Sequence, residues 1–365
     1  MSDSLHSPLF KFLLGLASFV VVIAGLQAAG QILLPVLFSV FLAVLCQPVV
    51  RLLTARRVPR VLAVLMVVVV LASALVGLTV LLGDSVRRFT ETIPQYQGRL
   101  ETLVDNTIVL LNRWKVVPPS LDESAAFIDP GALLNAVGQT LSAVLTILSR
   151  LVIVVIFTAF ILLEASELDQ KVRVVFGPDS RITRSLLDGS ATVQRYLAIK
   201  TVASLTTGIL VGSVNAALGL DFAVLWGVVA FLFNYIPSIG SIVAALPPIL
   251  LSTVQLGPVP TLIIAITYVA VNVSIGNILE PRVLGRHLGL SPLVVILSLF
   301  FWGFVWGPTG MLLSVPLTVV LKLLLEVTPD GNRIAVMLGP ARDAEAASRR
   351  AHPPAPNPNA PTKSP

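Results

Sequence analysis

Three groups of residues in this 365-residue chain have the types and spacing to do chemistry. The first lies in Asn272–Pro292, NVSIGNILEPRVLGRHLGLSP, a polar and Gly/Pro-interrupted segment between two apolar runs. Asn277 and Glu280 stand three residues apart, a spacing that puts two side chains on one helical face. Pro281 removes the next helical donor, and Arg282 follows. Charged and helix-breaking residues are costly in a bilayer and are tolerated where they face a cavity or a partner. Glu280 is therefore a candidate carrier of a proton or cation. The alternative is an ion pair with Arg282 or Arg286 at the cytoplasmic interface.

The second group is Asn234–Gly240, NYIPSIG. The Asn234 amide can donate and accept, while Pro237 and Gly240 break the helix. Half-helix ends expose backbone N–H and C=O groups that hold ions or polar solutes without charged side chains. The alternative is a tight turn packed on a neighbour. The third group is FFWGFVWGP, Phe300–Pro308, where aromatics beside Gly303 and Gly307 line a passage or form an interfacial belt, with Pro316 inside the following apolar arm. The candidate solute- or ion-binding residues are thus Asn234, Pro237, Gly240, Asn277, Glu280, Arg282, Gly307 and Pro316. No catalytic residue is indicated, because GxSxG, HExxH and P-loop lysine motifs do not occur in the sequence. Without a nucleotide site, any pumping is driven by gradients. The single cysteine, Cys46, and three dispersed histidines offer no metal cluster and no internal disulfide, so neither metal nor cofactor is expected.

These groups sit in an apolar chain. It is 55% hydrophobic and only 12% charged, with mean hydropathy +0.91, where an ordinary soluble domain carries roughly 25% charged residues. The reading is an all-α polytopic membrane protein with about eight transmembrane helices. The net charge of +6 comes from basic residues beside apolar spans. That follows the positive-inside rule, and no basic-aromatic motif points to nucleic acid.

The first elements are Phe10–Ala29, Ile32–Leu53 and Val61–Gly83, each long enough to cross. Phe12–Ala24 behind Lys11 resembles a signal peptide, but the apolar run that follows favours an uncleaved first span. Arg51, Arg56, Arg57 and Arg60 make a basic loop, which places the N-terminus in the cytoplasm. Residues 84–139 mix acids and bases, with Leu100, Leu103, Val104, Ile108 and Leu111 at helical spacing and turns at Pro118-Pro119 and Asp129-Pro130-Gly131. They read as a small helical extramembrane lobe, either a lid or assembly surface or a solvated connector. Thr140–Leu163 returns the chain, and a basic linker reaches Lys200.

Thr201–Leu220 carries Ser204, Gly208, Gly212 and Ala216 every four residues, a close helix-packing face, with Thr201, Thr206, Thr207 and Asn215 adding polar groups. Two broken, re-entrant hairpins follow. One is Phe222–Phe233 with Ile242–Leu251, the other Pro292–Phe304 with Met311–Leu325, and Pro258–Asn277 lies between them. Residues 201–327 form the expected transport core. The tail, 328–365, is expected to be disordered and cytoplasmic, ending in HPPAPNPNAPTKSP.

RYLAIK at Arg195–Lys200, NYIPSIGSIVAALPP at Asn234–Pro248, NILEPRVLGRHLGLSPL at Asn277–Leu293 and WGPTGMLLSVPL at Trp306–Leu317 resemble, in order and spacing, the motifs of the autoinducer-2 exporter (AI-2E), or PerM-like, family. The resemblance implies a multi-pass inner-membrane permease with cytoplasmic termini and a homo-oligomeric assembly. It implies export of a small polar solute such as autoinducer-2, with H+ or Na+ as a coupling ion, or alternatively Na+/H+ antiport. From the residues themselves, a membrane scaffold whose lobe binds a partner remains a reading of another class.

Overall fold

The computed structural model describes residues 8–113, 130–178, 180–237, 239–284 and 289–340. Every described element is helical: α1 (Pro8–Ala28), α2 (Gly30–Ala55), α3 (Arg60–Arg113), α4 (Pro130–Phe176), α5 (Arg181–Ala217), α6 (Ala223–Phe233), α7 (Ile239–Gln255), α8 (Pro258–Val271), a π-helical segment (Asn272–Leu279), α9 (Glu280–Leu284), α10 (Pro292–Val327) and α11 (Pro329–Leu338). Among the described residues, five helices are long and apolar enough to cross a membrane, or six counting Leu151–Ala165 with Gln170–Phe176. Three further apolar helices, including Ala223–Phe233 and Ile239–Gln255, are shorter. The chain is an all-α polytopic membrane protein.

One compact unit comprises Met1–Leu168 and Leu197–Val283. Its first three helices leave wide apolar faces uncovered, with Phe12, Val21, Val61, Val70 and Val80 all exposed. In lipid such faces carry no hydrophobic penalty, so helix contacts rest on close packing and hydrogen bonds. The Ser39 hydroxyl donates to the Val154 carbonyl at 3.0 Å and Arg60 Nη2 to the Leu162 carbonyl at 2.7 Å, tying α2 and α3 to α4.

The third span does not end near Gly83. Nothing in Gly83-Asp84-Ser85 stops a helix, and α3 runs on to Arg113, 54 residues in all, with Pro94 accommodated inside it. Beyond the apolar stretch it buries Leu82, Val86, Phe89, Ile93, Tyr96 and Leu100, alternate steps of four and three that make one stripe. Phe89 meets the edge of Trp226 at 5.8 Å, and Tyr96 donates to Asp221 Oδ2 at 2.8 Å. Pro130 and Gly131 open α4 instead of forming a turn, a position that suits the fixed φ of proline. The expected Pro118-Pro119 turn lies outside the described residues.

The other unit comprises Asp169–Tyr196 and Leu284–Pro365. Its α10 is long and apolar enough for one span but doubles back. Trp306 and Gly307 leave helical geometry, Gly307 at φ 64, and Trp302 Nε1 donates to Thr318 Oγ1 at 3.0 Å across the break. The tail expectation needs correction: Pro329–Leu338 is helical. Thr328 caps it by accepting from Gly331 N at 3.2 Å, Pro329 fits the first turn, and Ala335 is buried. Residues 341–365 lie outside the described set.

Candidate functional site

The site begins with the buried face of α5. Lys200, Ser204, Thr207, Val211 and Asn215 are all buried, and their steps of four, three, four and four place them on one side of the helix. Four of the five are polar. Such a stripe inside a membrane-crossing helix needs partners from neighbouring helices.

The first partner comes from the break between α6 and α7. Asn234 is buried at the end of α6 and donates from Nδ2 to Ser204 Oγ at 3.0 Å. Tyr235 shares a hydrogen bond of 2.7 Å with the Thr201 hydroxyl. The turn is tight: a Cβ at Gly240 would lie 1.8 Å from the Phe233 carbonyl oxygen, so only glycine fits. Pro237 is half-buried in the same turn. The Gly307 break in the other unit repeats this device, a Cβ at Gly310 lying 2.0 Å from the Trp302 carbonyl oxygen. Pro316 is buried on the arm that follows.

The second partner comes from the end of α8. Lys200 Nζ meets both Glu280 carboxylate oxygens, at 2.7 and 2.9 Å, with side chains only 6% and 12% exposed. The π-helical segment explains how Glu280 reaches α5. Twelve residues of α-helix from Tyr268 to Glu280 would turn about 1200°, leaving the two about 120° apart. Eight of those residues are π-helical instead. At about 82° per residue for an i→i+5 spiral, the total falls to about 1056°, close to three whole turns. Tyr268, Asn272, Gly276 and Glu280 thereby share a side.

That geometry corrects the face-sharing expected of Asn277 and Glu280, which assumed α-helical spacing. Asn277 is exposed while Glu280 turns inward, and Arg282 is also exposed. The partner of Glu280 is Lys200, not Arg282; Arg286 lies outside the described residues. Sequence reasoning assigned Lys200 to the basic cytoplasmic linker. The available signal was its place four residues before Ser204, in phase with the packing face.

The close approach of α5 and α6 runs alongside. A Cβ on Gly208 would sit 2.6 Å from the Gly227 carbonyl oxygen, and one on Gly227 2.8 Å from the Gly208 carbonyl oxygen and 3.2 Å from Gly212 Cα. Gly227 was the missed half of this contact.

Broken helices and a buried polar face on a crossing helix are features shared by many solute transporters. The profile of AI-2E family transporters matches residues 16–330. The chain is 38% identical over 328 residues to the AI-2 transport protein TqsA of Escherichia coli, covering 90% of this chain and 95% of that one. It is 37% identical over 344 residues to a protein of Haemophilus influenzae named for transport, covering 92% and 98%. It is 34% identical over 335 residues to YhhT of Escherichia coli, covering 90% and 94%. This chain belongs to the AI-2E transporter family.

Proposed function

We propose that the protein is a secondary transporter, not an enzyme, that carries a small polar solute across the inner membrane with both termini in the cytoplasm. The observation that carries this reading is the buried polar face of α5. It meets Asn234 at a helix break and Glu280 at the end of the π-helical segment. Half-helix ends and buried amides hold ions and polar groups through their backbone and amide dipoles. The name of the relative TqsA favours an autoinducer-2-type signalling molecule as the solute. The proposed binding residues are Asn234, Pro237 and Gly240, with Glu280 at one end of the face. Gly307 and Pro316 shape the second break, and Asn277 and Arg282 lie on the outward side of the π-helical end. A homo-oligomeric assembly, which the family resemblance implies, is part of the proposal. The residues around 84–139 form its extramembrane part.

Reconstitution into proteoliposomes tests the reading. Purified protein is expected to give saturable movement of autoinducer-2, with counterflow from preloaded vesicles. Flux no greater than in empty vesicles, or unsaturable currents of channel size, would contradict it.

The Lys200–Glu280 pair supports a second reading, monovalent cation/proton antiport. The ammonium then occupies the position a sodium ion would take on the carboxylate. In that case Glu280→Gln abolishes sodium-coupled proton movement. Retention of full coupling in Glu280→Gln removes Glu280 from that role.

A further inference from the structure

We infer that the α2–α3 turn is a binding site for an anionic phospholipid, with Arg56, Arg57 and Arg60 holding the headgroup phosphate. α2 ends at Ala55 and α3 begins at Arg60. Arg51, Arg56 and Arg57 are exposed, and Arg60 is half-buried. Residues 4–83 contain no aspartate or glutamate, so the helices that carry these arginines offer them no counter-charge. Among the described residues no carboxylate pairs with any of the four, and Glu164 and Glu167 of α4 make contacts of their own.

The turn fixes where these cations stand. Arg56 N donates to the Leu53 carbonyl and Arg57 N to the Thr54 carbonyl, both at 3.0 Å. Arg57 takes φ 68. The left-handed position that closes a helix commonly goes to glycine or asparagine; here it carries a cation. Arg60 Nη2 is anchored on the Leu162 carbonyl at 2.7 Å, while its Nε is withdrawn from solvent with no partner. A guanidinium has five N–H donors, and this one is short of acceptors. Val50, Ala63, Val64 and Leu162 pack together beside the turn, so the arginines stand where three helices meet.

The surroundings select a lipid over a free anion. Val49 and Leu52 on α2, and Val61, Leu62 and Leu65 on α3, are exposed beside the arginines. On crossing helices such side chains face acyl chains, and basic groups next to them stand at the level of the headgroups. The guanidinium fork matches phosphate oxygens two at a time. A zwitterionic headgroup brings its own ammonium to its phosphate. An anionic phosphodiester leaves its charge for the arginines, which have no protein carboxylate to neutralise them.

The test follows the thermal midpoint of full-length protein in non-ionic detergent by tryptophan fluorescence. Dioleoyl phosphatidylglycerol is titrated into the micelle, with dioleoyl phosphatidylcholine and inorganic phosphate as separate arms. Wild type is expected to gain a saturable rise with phosphatidylglycerol and little with the other two. Raising sodium chloride is expected to shift that titration to higher lipid, a check that needs no variant. A basic residue near an anionic lipid surface is worth about fivefold in binding. Arg56→Gln with Arg57→Gln is therefore expected to raise the half-saturating lipid fraction about twentyfold. Its midpoint without lipid should stay near wild type, because both side chains are exposed. Arg60→Lys keeps the charge, loses the fork and is expected to raise the fraction by a smaller factor.

No rise with phosphatidylglycerol in wild type overturns the inference, as does an equal rise with phosphatidylcholine. An equal rise with phosphate alone marks a free-anion site and overturns the lipid assignment. A titration indifferent to salt, or an unaltered half-saturating fraction in both variants, removes the arginines from the site. None of these readouts uses flux, so absence of transport in proteoliposomes leaves the lipid site standing.

Discussion

The Lys200 ammonium bonds to both oxygens of the Glu280 carboxylate at 2.7 and 2.9 Å, joining α5 to the end of the π-helical segment. Both charges are largely withdrawn from solvent. Either one alone would be a buried charge without a counter-ion.

Breaking this pair from one side therefore destabilises the fold. Lys200→Met or Glu280→Gln is expected to cost about 3–5 kcal/mol, while the double variant Lys200→Met with Glu280→Leu recovers most of it. Thermal unfolding in detergent, followed by tryptophan fluorescence, reads the effect. A double variant no more stable than the worse single one would show that the two groups do not act as a pair.

The α5–α6 approach predicts a graded response to a single methyl group. Gly208→Ala and Gly227→Ala push a Cβ to 2.6 and 2.8 Å from a backbone carbonyl oxygen, whereas the nearest atom to a Cβ on Gly212 is 3.4 Å away. Overpacking of this kind costs about 1–3 kcal/mol. The first two variants should lose folded yield and melt earlier, with Gly212→Ala near wild type. Equal behaviour of all three would mean the helices do not meet at these glycines.

The turn at Asn234–Gly240 predicts a functional loss. An added Cβ at Gly240 collides with backbone, not with the tip of a side chain, so Gly240→Ala must move the turn. It is expected to detach Asn234 from Ser204 and to abolish autoinducer-2 flux even where protein still reaches the membrane. Wild-type flux in Gly240→Ala would disconnect this turn from transport.

Much of this architecture is legible in the residues. Runs of apolar residues give the crossing helices, and Pro and Gly mark both breaks, where a Cβ at Gly240 or Gly310 would strike backbone. What escaped the sequence has physical causes. Helix ends were expected at polarity changes, yet α3 runs on because polarity does not stop a helix and a periodic stripe from Leu82 to Leu100 sustains it. The Glu280 partner was sought among nearby arginines, since ion pairs are readable at short range. Lys200 lies 80 residues away, and only the π-helical register turns Glu280 toward it. No residue type announces a π-helix. Asn277 stood out for the same reason Glu280 did, and the changed register carried it to the exposed side.

The central claim is that the buried polar face joining α5 to the Asn234 turn binds the transported solute. The most direct measurement is initial-rate autoinducer-2 flux in proteoliposomes with wild type and Asn234→Ala at equal folded protein. Saturable flux in wild type, with a loss to the level of empty vesicles in Asn234→Ala, is the predicted result. Equal flux in the two proteins would contradict the account.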